Sequence, residues 1–197
     1  PFKWPLQNLR KWLIAQVDKR PIRVKLGCAP TPEELSAERF DVVLAATGAT
    51  PAHPPIPGAD GANVMTAVES YGRIADVRDT VAIIGGGIGG MECALVLKQR
   101  GHIPTLFEKS GELGGLFLTA SAMTFKENDK ELIRWYKKEI EREGIDVRFN
   151  TEVNDLGTLR GYDDIIVATG SVPRTMPGIK GFEKTLTFTQ VLKEKVD

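Results

Sequence analysis

Val81-Ala82-Ile83-Ile84-Gly85-Gly86-Gly87-Ile88-Gly89-Gly90-Met91-Glu92-Cys93-Ala94 is a short apolar run that breaks into glycines and resumes as an apolar-periodic segment. It reads as strand, tight turn and helix. In the spacing Gly85-x-Gly87-x-x-Gly90, the first glycine permits the sharp turn, the second lets the backbone approach a pyrophosphate, and the third lets helix and strand touch. The helix N-terminus adds free N–H groups and the positive end of its dipole. Gly86, Ile88 and Gly89 complete the candidate cradle. Residues 103–107 read as the next strand, and Glu108 ends it 18 positions after Gly90, where a carboxylate can accept hydrogen bonds from a ribose diol; Lys109 follows directly.

Working outward from this turn, the 197 residues allow one generous domain or two small ones. Hydrophobic residues are 42% of the chain and charged residues 26%, with 26 Lys+Arg balancing 26 Asp+Glu, a mixture that favours a small-molecule ligand and gives no basic excess for nucleic acid. Cys28 and Cys93 belong to no CxxC or Cys/His cluster, which suits a reducing interior and argues against a redox disulfide or a metal site. No apolar run approaches the length of a membrane span, and no signal-peptide pattern opens the chain, so a cytoplasmic location is expected. The first residue is Pro1, which suggests a processed chain or a piece of a longer one.

Along the chain, residues 6–19 carry an apolar helical face at Leu6, Leu9, Leu13 and Val17, beside Trp12 and Ile14, expected to pack on a sheet. Residues 22–26 alternate as a half-buried strand. Thr31-Pro32-Glu33-Glu34 has the N-cap, proline and glutamate of a helix start. Residues 40–46 read as a buried strand ending in Ala46-Thr47-Gly48. Pro54, Pro55, Pro57, Gly58 and Gly61 make a stiff connector, the best candidate for a boundary. A helix is expected within 63–76. Past Glu108, the turn Glu112-Leu113-Gly114-Gly115 precedes an ambiguous stretch. A helix is expected from Asp129, with an apolar face at Leu132, Ile133, Trp135, Tyr136 and Ile140 and a stop at Gly144. Strands follow at 145–149 and 162–168, the latter ending in Ala168-Thr169-Gly170, and a last helix runs through Val191.

The two ends of the chain match each other. Trp12 aligns with Trp135 and Val24 with Val147 at an offset of 123, Thr47-Gly48 with Thr169-Gly170 at 122, and Pro57-Gly58 with Pro177-Gly178 at 120. Only the second copy is preceded by a glycine-turn unit. The expected architecture is therefore α/β, a Rossmann-like three-layer fold with a central parallel sheet, plus a partial second nucleotide-binding unit. Residues 1–75 would be the back half of a first nucleotide-binding unit with its connector, which the resemblance given next implies to be FAD-type, and 76–197 the GxGxxG-containing domain.

Gly85 to Gly90, the Gly101-His102 turn, Glu108, Glu112-Leu113-Gly114-Gly115 and the two Ala-Thr-Gly strand ends together resemble the C-terminal FAD/NAD(P)-binding region of Old Yellow Enzyme-related NADH:flavin oxidoreductases, of the 2,4-dienoyl-CoA reductase, trimethylamine dehydrogenase and enoate reductase type. More broadly the features resemble the two-dinucleotide-binding-domain flavoproteins. The resemblance implies an oxidoreductase module that positions NAD(H) or NADP(H) and FAD for hydride transfer between nicotinamide and flavin. It also implies a catalytic barrel as partner in the parent protein, with any FMN and iron-sulfur cluster lying outside this chain. The implied cofactor contacts are Gly85, Gly86, Gly87, Ile88, Gly89, Gly90, Glu108, Lys109, Gly114, Gly115, Ala168, Thr169, Gly170, Thr47 and Gly48. Chain order makes the Gly85 turn an NAD(P)H site, whereas the Gly114-Gly115 pair is similar to an FAD site, and both remain open. A nicotinamide bound there should be NADH, because Glu108 would repel a 2′-phosphate. The alternative is a non-catalytic nucleotide-binding or regulatory module.

No catalytic residue is assigned. His102 reads as part of a turn, His53 has no evident partner, Cys93 reads as core and Cys28 as a turn residue. Trp12 and Trp135 read as helix-sheet packing. Asp163-Asp164 reads as a pair that caps or solvates the start of a strand.

Overall fold

A computed structural model of the protein describes residues 4–44, 55–171 and 188–193. The chain divides into two compact units, Pro1–Ala49 and Thr50–Asp197. This division lies upstream of the expected boundary at 75/76, because residues 64–66, just past the proline-rich connector, are a strand of the second unit's sheet.

In the first unit, helix α1 spans Trp4–Asp18 and α2 spans Pro32–Ala37. The Thr31 hydroxyl accepts the Glu34 N–H at 3.3 Å while the Glu34 carboxylate accepts the Thr31 N–H at 2.9 Å, the reciprocal cap expected there. Among the described residues, neither 22–26 nor 40–44, the described part of the strand expected at 40–46, is a strand, and α1 buries none of its side chains. Alternation of apolar residues makes a strand only where a neighbour supplies the ladder hydrogen bonds. Ala45 to Gly48 lie outside the described residues.

The second unit contains strands β1 (Val64–Thr66), β2 (Thr80–Ile84), β3 (Ile103–Phe107), β4 (Asp146–Arg148) and β5 (Asp164–Val167). They form one parallel sheet in the order β1-β5-β2-β3-β4. Helices α3 (Ala67–Gly72), α4 (Ile88–Gln99), α5 (Leu116–Ala120), α6 (Glu127–Arg142) and α7 (Phe188–Lys193), with a 3-10 turn at Leu156–Leu159, connect and follow them. Successive residues of a strand point to opposite faces. Val81, Ile83 and Ile166 accordingly share a core with Met91, Ala94, Leu97, Tyr136 and Ile140 of α4 and α6, while Ala82, Ile84, Ile165 and Val167 share one with Leu156 and Leu159. Burial on both faces is what continuous apolar runs such as 81–84 and 165–167 require. Burying a side chain the size of Ile83 stabilises the fold by roughly 1.5–3 kcal/mol.

On α6, Ile133, Tyr136 and Ile140 are buried, but Leu132 and Trp135 are not; Trp135 is 50% and Trp12 56% exposed, so neither tryptophan is the sheet-packing residue its pattern suggested. The repeat reappears in the backbone. Positions 4–18 of α1 map onto α6 at the same offset of 123, and left-handed residues recur at that offset, Gly27 with φ +64° and Asn150 with φ +52°. Pro177-Gly178 lie outside the described residues.

Candidate nucleotide-binding site

At the carboxyl end of β2 the chain turns through Gly85, whose φ is +109° and whose N–H donates to the Phe107 carbonyl at 2.8 Å. A Cβ on Gly85 would collide with the carbonyl oxygen of Ala168, and one on Gly90 with the carbonyl oxygen of Gly85. These two glycines let strand and helix ends meet. Gly86 is enclosed: a Cβ there would lie 2.5 Å from Leu113 Cδ2 and 2.8 Å from Glu108 Oε2. Gly87 and Gly89 differ, since a Cβ on either would meet no protein atom within 4 Å. Gly87 is the N-cap of α4 at φ −72°, with no side-chain hydrogen bond to the helix, so the first-turn N–H groups are left for something else. Open space over uncapped N–H groups at the positive end of a 12-residue helix fits a pyrophosphate. Ile88, half-buried, packs its side chain on the core.

Glu108 follows β3 and is 6% exposed. Its Oε2 accepts the Gly86 N–H at 2.7 Å, and its Oε1 accepts the Ser110 N–H at 2.8 Å and hydroxyl at 2.7 Å. A buried carboxylate is tolerated when hydrogen bonds replace its hydration. Lys109 is exposed. Gly114 and Gly115 have φ of +127° and +54°, and the Gly114 N–H donates to the Gly86 carbonyl at 2.8 Å, forming a parallel bridge between Gly87 and Gly114. From β5, the Ala168 N–H reaches the Ile84 carbonyl at 2.8 Å; Thr169 and Gly170 follow, exposed, with φ +77° at Gly170.

The fold thus gathers Gly85–Gly90, Glu108, Gly114, Gly115 and Ala168 at the carboxyl ends of β2, β3 and β5. In this sheet the connection order reverses between β2 and β5, the crevice where open α/β sheets take their ligands. Thr47 and Gly48 lie outside the described residues. Ser110, which hydrogen-bonds Glu108, is absent from the residues that the sequence singled out, because a serine in a loop carries no pattern of its own.

Residues set aside from the site have structural partners. His102 Nδ1 lies 2.9 Å from the Arg78 carbonyl, in a helix-to-strand turn. Cys93 is core, and burial pushes its thiol up from 9.0 to about 11. Asp164 is buried at the start of β5, where its Oδ2 accepts the Arg78 N–H at 2.7 Å and its Oδ1 the guanidinium at 2.9 Å; Asp163 accepts the Thr80 N–H and hydroxyl. The two aspartates clasp β5 to β2, a role stronger than the cap or solvated pair expected. Among the described residues, no helix is long and apolar enough to cross a membrane.

Comparison with known proteins agrees with this geometry. The chain is 38% identical over 129 residues to cinnamate reductase of Clostridium sporogenes, covering 64% of this chain and 19% of that protein. It is 38% identical over 136 residues to NADH oxidase of Thermoanaerobacter brockii, covering 68% of this chain and 20% of that protein. The chain therefore spans about a fifth of the length of these curated relatives. Both are named as oxidoreductases, which accords with the resemblance carried by the glycine turns. The fold is shared with the solved 2-naphthoyl-CoA reductase in complex with 2-naphthoyl-CoA, with a TM-score of 0.65 at 21% identity over 86% of this chain and 26% of that one. The model of the pyridine nucleotide-disulphide oxidoreductase family matches residues 11–161, and the chain belongs to that family.

Proposed function

We propose that this chain is the dinucleotide-binding module of an NAD(P)H-dependent flavin oxidoreductase and that its glycine turn receives the ADP portion of the cofactor. The family brings FAD and NAD(P)H as its cofactors. The observation that carries the proposal is the open space at Gly87 and Gly89 above the N-terminus of α4, with the Glu108 carboxylate beside it. In this reading the N–H groups of residues 88–90 hold the pyrophosphate, and Glu108 accepts from the ribose diol. Gly114-Gly115 and Ala168-Thr169-Gly170 line the crevice, with Lys109 at its exposed rim.

When bound, nicotinamide and flavin supply the hydride chemistry, and the protein's part is orientation and electrostatics. The parent enzyme would add a catalytic barrel, with FMN and an iron-sulfur cluster, as partner. A cytoplasmic setting accords with the free thiols of Cys28 and Cys93.

Titration calorimetry with NADH, NADPH, FAD and AMP tests the proposal. Saturable binding that is lost in Gly87→Ala is expected, with NADH tighter than NADPH because Glu108 opposes a 2′-phosphate. Absence of binding by all four would overturn the nucleotide assignment, and a reversed NADH/NADPH order would overturn the role given to Glu108. Binding without reduction of added flavin by NADH would make the chain a non-catalytic nucleotide-binding module.

A further inference from the structure

Glu108 has more donors than a ribose-binding carboxylate needs. A carboxylate offers about four acceptor positions on its two oxygens. Three are taken by the Gly86 N–H on Oε2 and by the N–H and hydroxyl of Ser110 on Oε1. A ribose diol brings two O–H donors and finds one vacant position. Two of the three resident donors are backbone groups fixed by the turn and the loop, and cannot withdraw without moving the chain: the Ser110 carbonyl is itself anchored by the Asn150 N–H at 3.0 Å, and the Gly86 carbonyl by the Gly114 N–H at 2.8 Å. The Ser110 hydroxyl is different. Its oxygen lies 2.7 Å from Glu108 Oε1 and also 2.9 Å from the carbonyl oxygen of Glu112, so rotation about one bond transfers its proton from one acceptor to the other with no heavy atom displaced.

We propose that Ser110 is a specificity-determining residue whose hydroxyl occupies one acceptor position of Glu108 in the free protein and turns to the Glu112 carbonyl when a ribose diol arrives. This rests on the reading of Glu108 as the ribose acceptor. The exchange replaces a hydrogen bond to a charged acceptor by one to a neutral carbonyl, and charge-assisted bonds are the stronger kind. Ser110 therefore lowers the preference of the site for ribose over deoxyribose. A serine that merely held Glu108 in place would do the reverse, since its removal would weaken ribose recognition.

The test compares the affinities of ADP and 2′-deoxy-ADP for the full chain by calorimetry in the wild type, Ser110→Ala and Ser110→Thr, with melting temperatures recorded alongside. Ser110→Ala is expected to widen the preference for ADP by about threefold to tenfold, the range one hydrogen bond spans, while Ser110→Thr, which keeps the hydroxyl, returns the wild-type ratio. A ratio that is unchanged or narrowed in Ser110→Ala, with ADP still bound, overturns the switch and leaves the nucleotide site standing. Failure of the wild type to bind either nucleotide overturns both.

Discussion

The Tyr136 hydroxyl donates to the Glu92 carboxylate at 2.8 Å, and both side chains are buried between α4 and α6. Burial first, and then this bond, hold the phenol well above its ordinary value of 10.0. A hydrogen bond to a charged acceptor contributes about 1.5–3 kcal/mol. Tyr136→Phe, which keeps the ring packing, is expected to lower stability by that amount in urea unfolding. A loss below about 0.5 kcal/mol would mean that the bond does not tie the two helices together.

The glycines of the turn separate into two kinds by substitution. Gly85→Ala forces a side chain into a left-handed position and against the Ala168 carbonyl, and should cost roughly 2–4 kcal/mol. Gly87→Ala, at an ordinary φ with open space around it, should leave stability within about 0.5 kcal/mol and still reduce NADH or FAD affinity at least about tenfold, because the methyl occupies the place of the pyrophosphate. Melting curves and calorimetry on the same two proteins distinguish these outcomes.

Thiol labelling should give one modified cysteine per native chain and two per unfolded chain. Cys28 is exposed and Cys93 is 4% exposed, with its thiol pushed up by burial to about 11. Because the folded value lies above the ordinary 9.0, the native state binds the proton more tightly. The stability this contributes is complete below pH 9 and declines as pH rises toward 11. Unfolding measured across that window should show a decline that is shallower in Cys93→Ala.

Asp164→Asn should destabilise the fold by about 2–3 kcal/mol, since Asp164 is buried and accepts both the backbone N–H and the guanidinium of Arg78. Its neighbour Asp163 is held below the ordinary 3.8 by the Thr80 hydroxyl and N–H. A depressed carboxyl contributes stability at pH above its ordinary value that is lost as pH falls through its folded value. Acid unfolding of Asp163→Asn should therefore be less steep below pH 4 than that of the wild type.

Much of the candidate site's geometry was legible because its residues answer to steric rules that leave a mark in sequence. Gly85 and Gly90 must be glycine, Glu108 ends a strand at the right distance, and the capping pair Thr31/Glu34 is a local device. Residues 22–26 and 40–44 differ from the strands expected at 22–26 and 40–46 for the opposite reason: their apolar patterns are real, but a strand exists only with its neighbours, and their repeat counterparts β4 and β5 have β3 and β2 beside them. The three-residue β1 was missed because its pairing with β5 is across 101 positions of sequence, while the capping pair Thr66/Glu69 behind it starts a helix. Ser110 and the bond from Tyr136 to Glu92 were invisible because each depends on where a side chain ends, not on which residue type stands at which spacing.

Both backbone polar groups of Gly86 are spoken for by the loop that follows β3: its N–H by Glu108 and its carbonyl by Gly114. The curvature of the cradle is thereby written partly in residues 109–113, which touch it only through that loop. Lengthening or shortening the loop by one residue would shift Gly114 against Gly86 and reshape the proposed pyrophosphate seat, although no residue of that seat had changed. Drift in the loop is a route by which relatives of this chain could retune their cofactor while keeping every glycine of the turn.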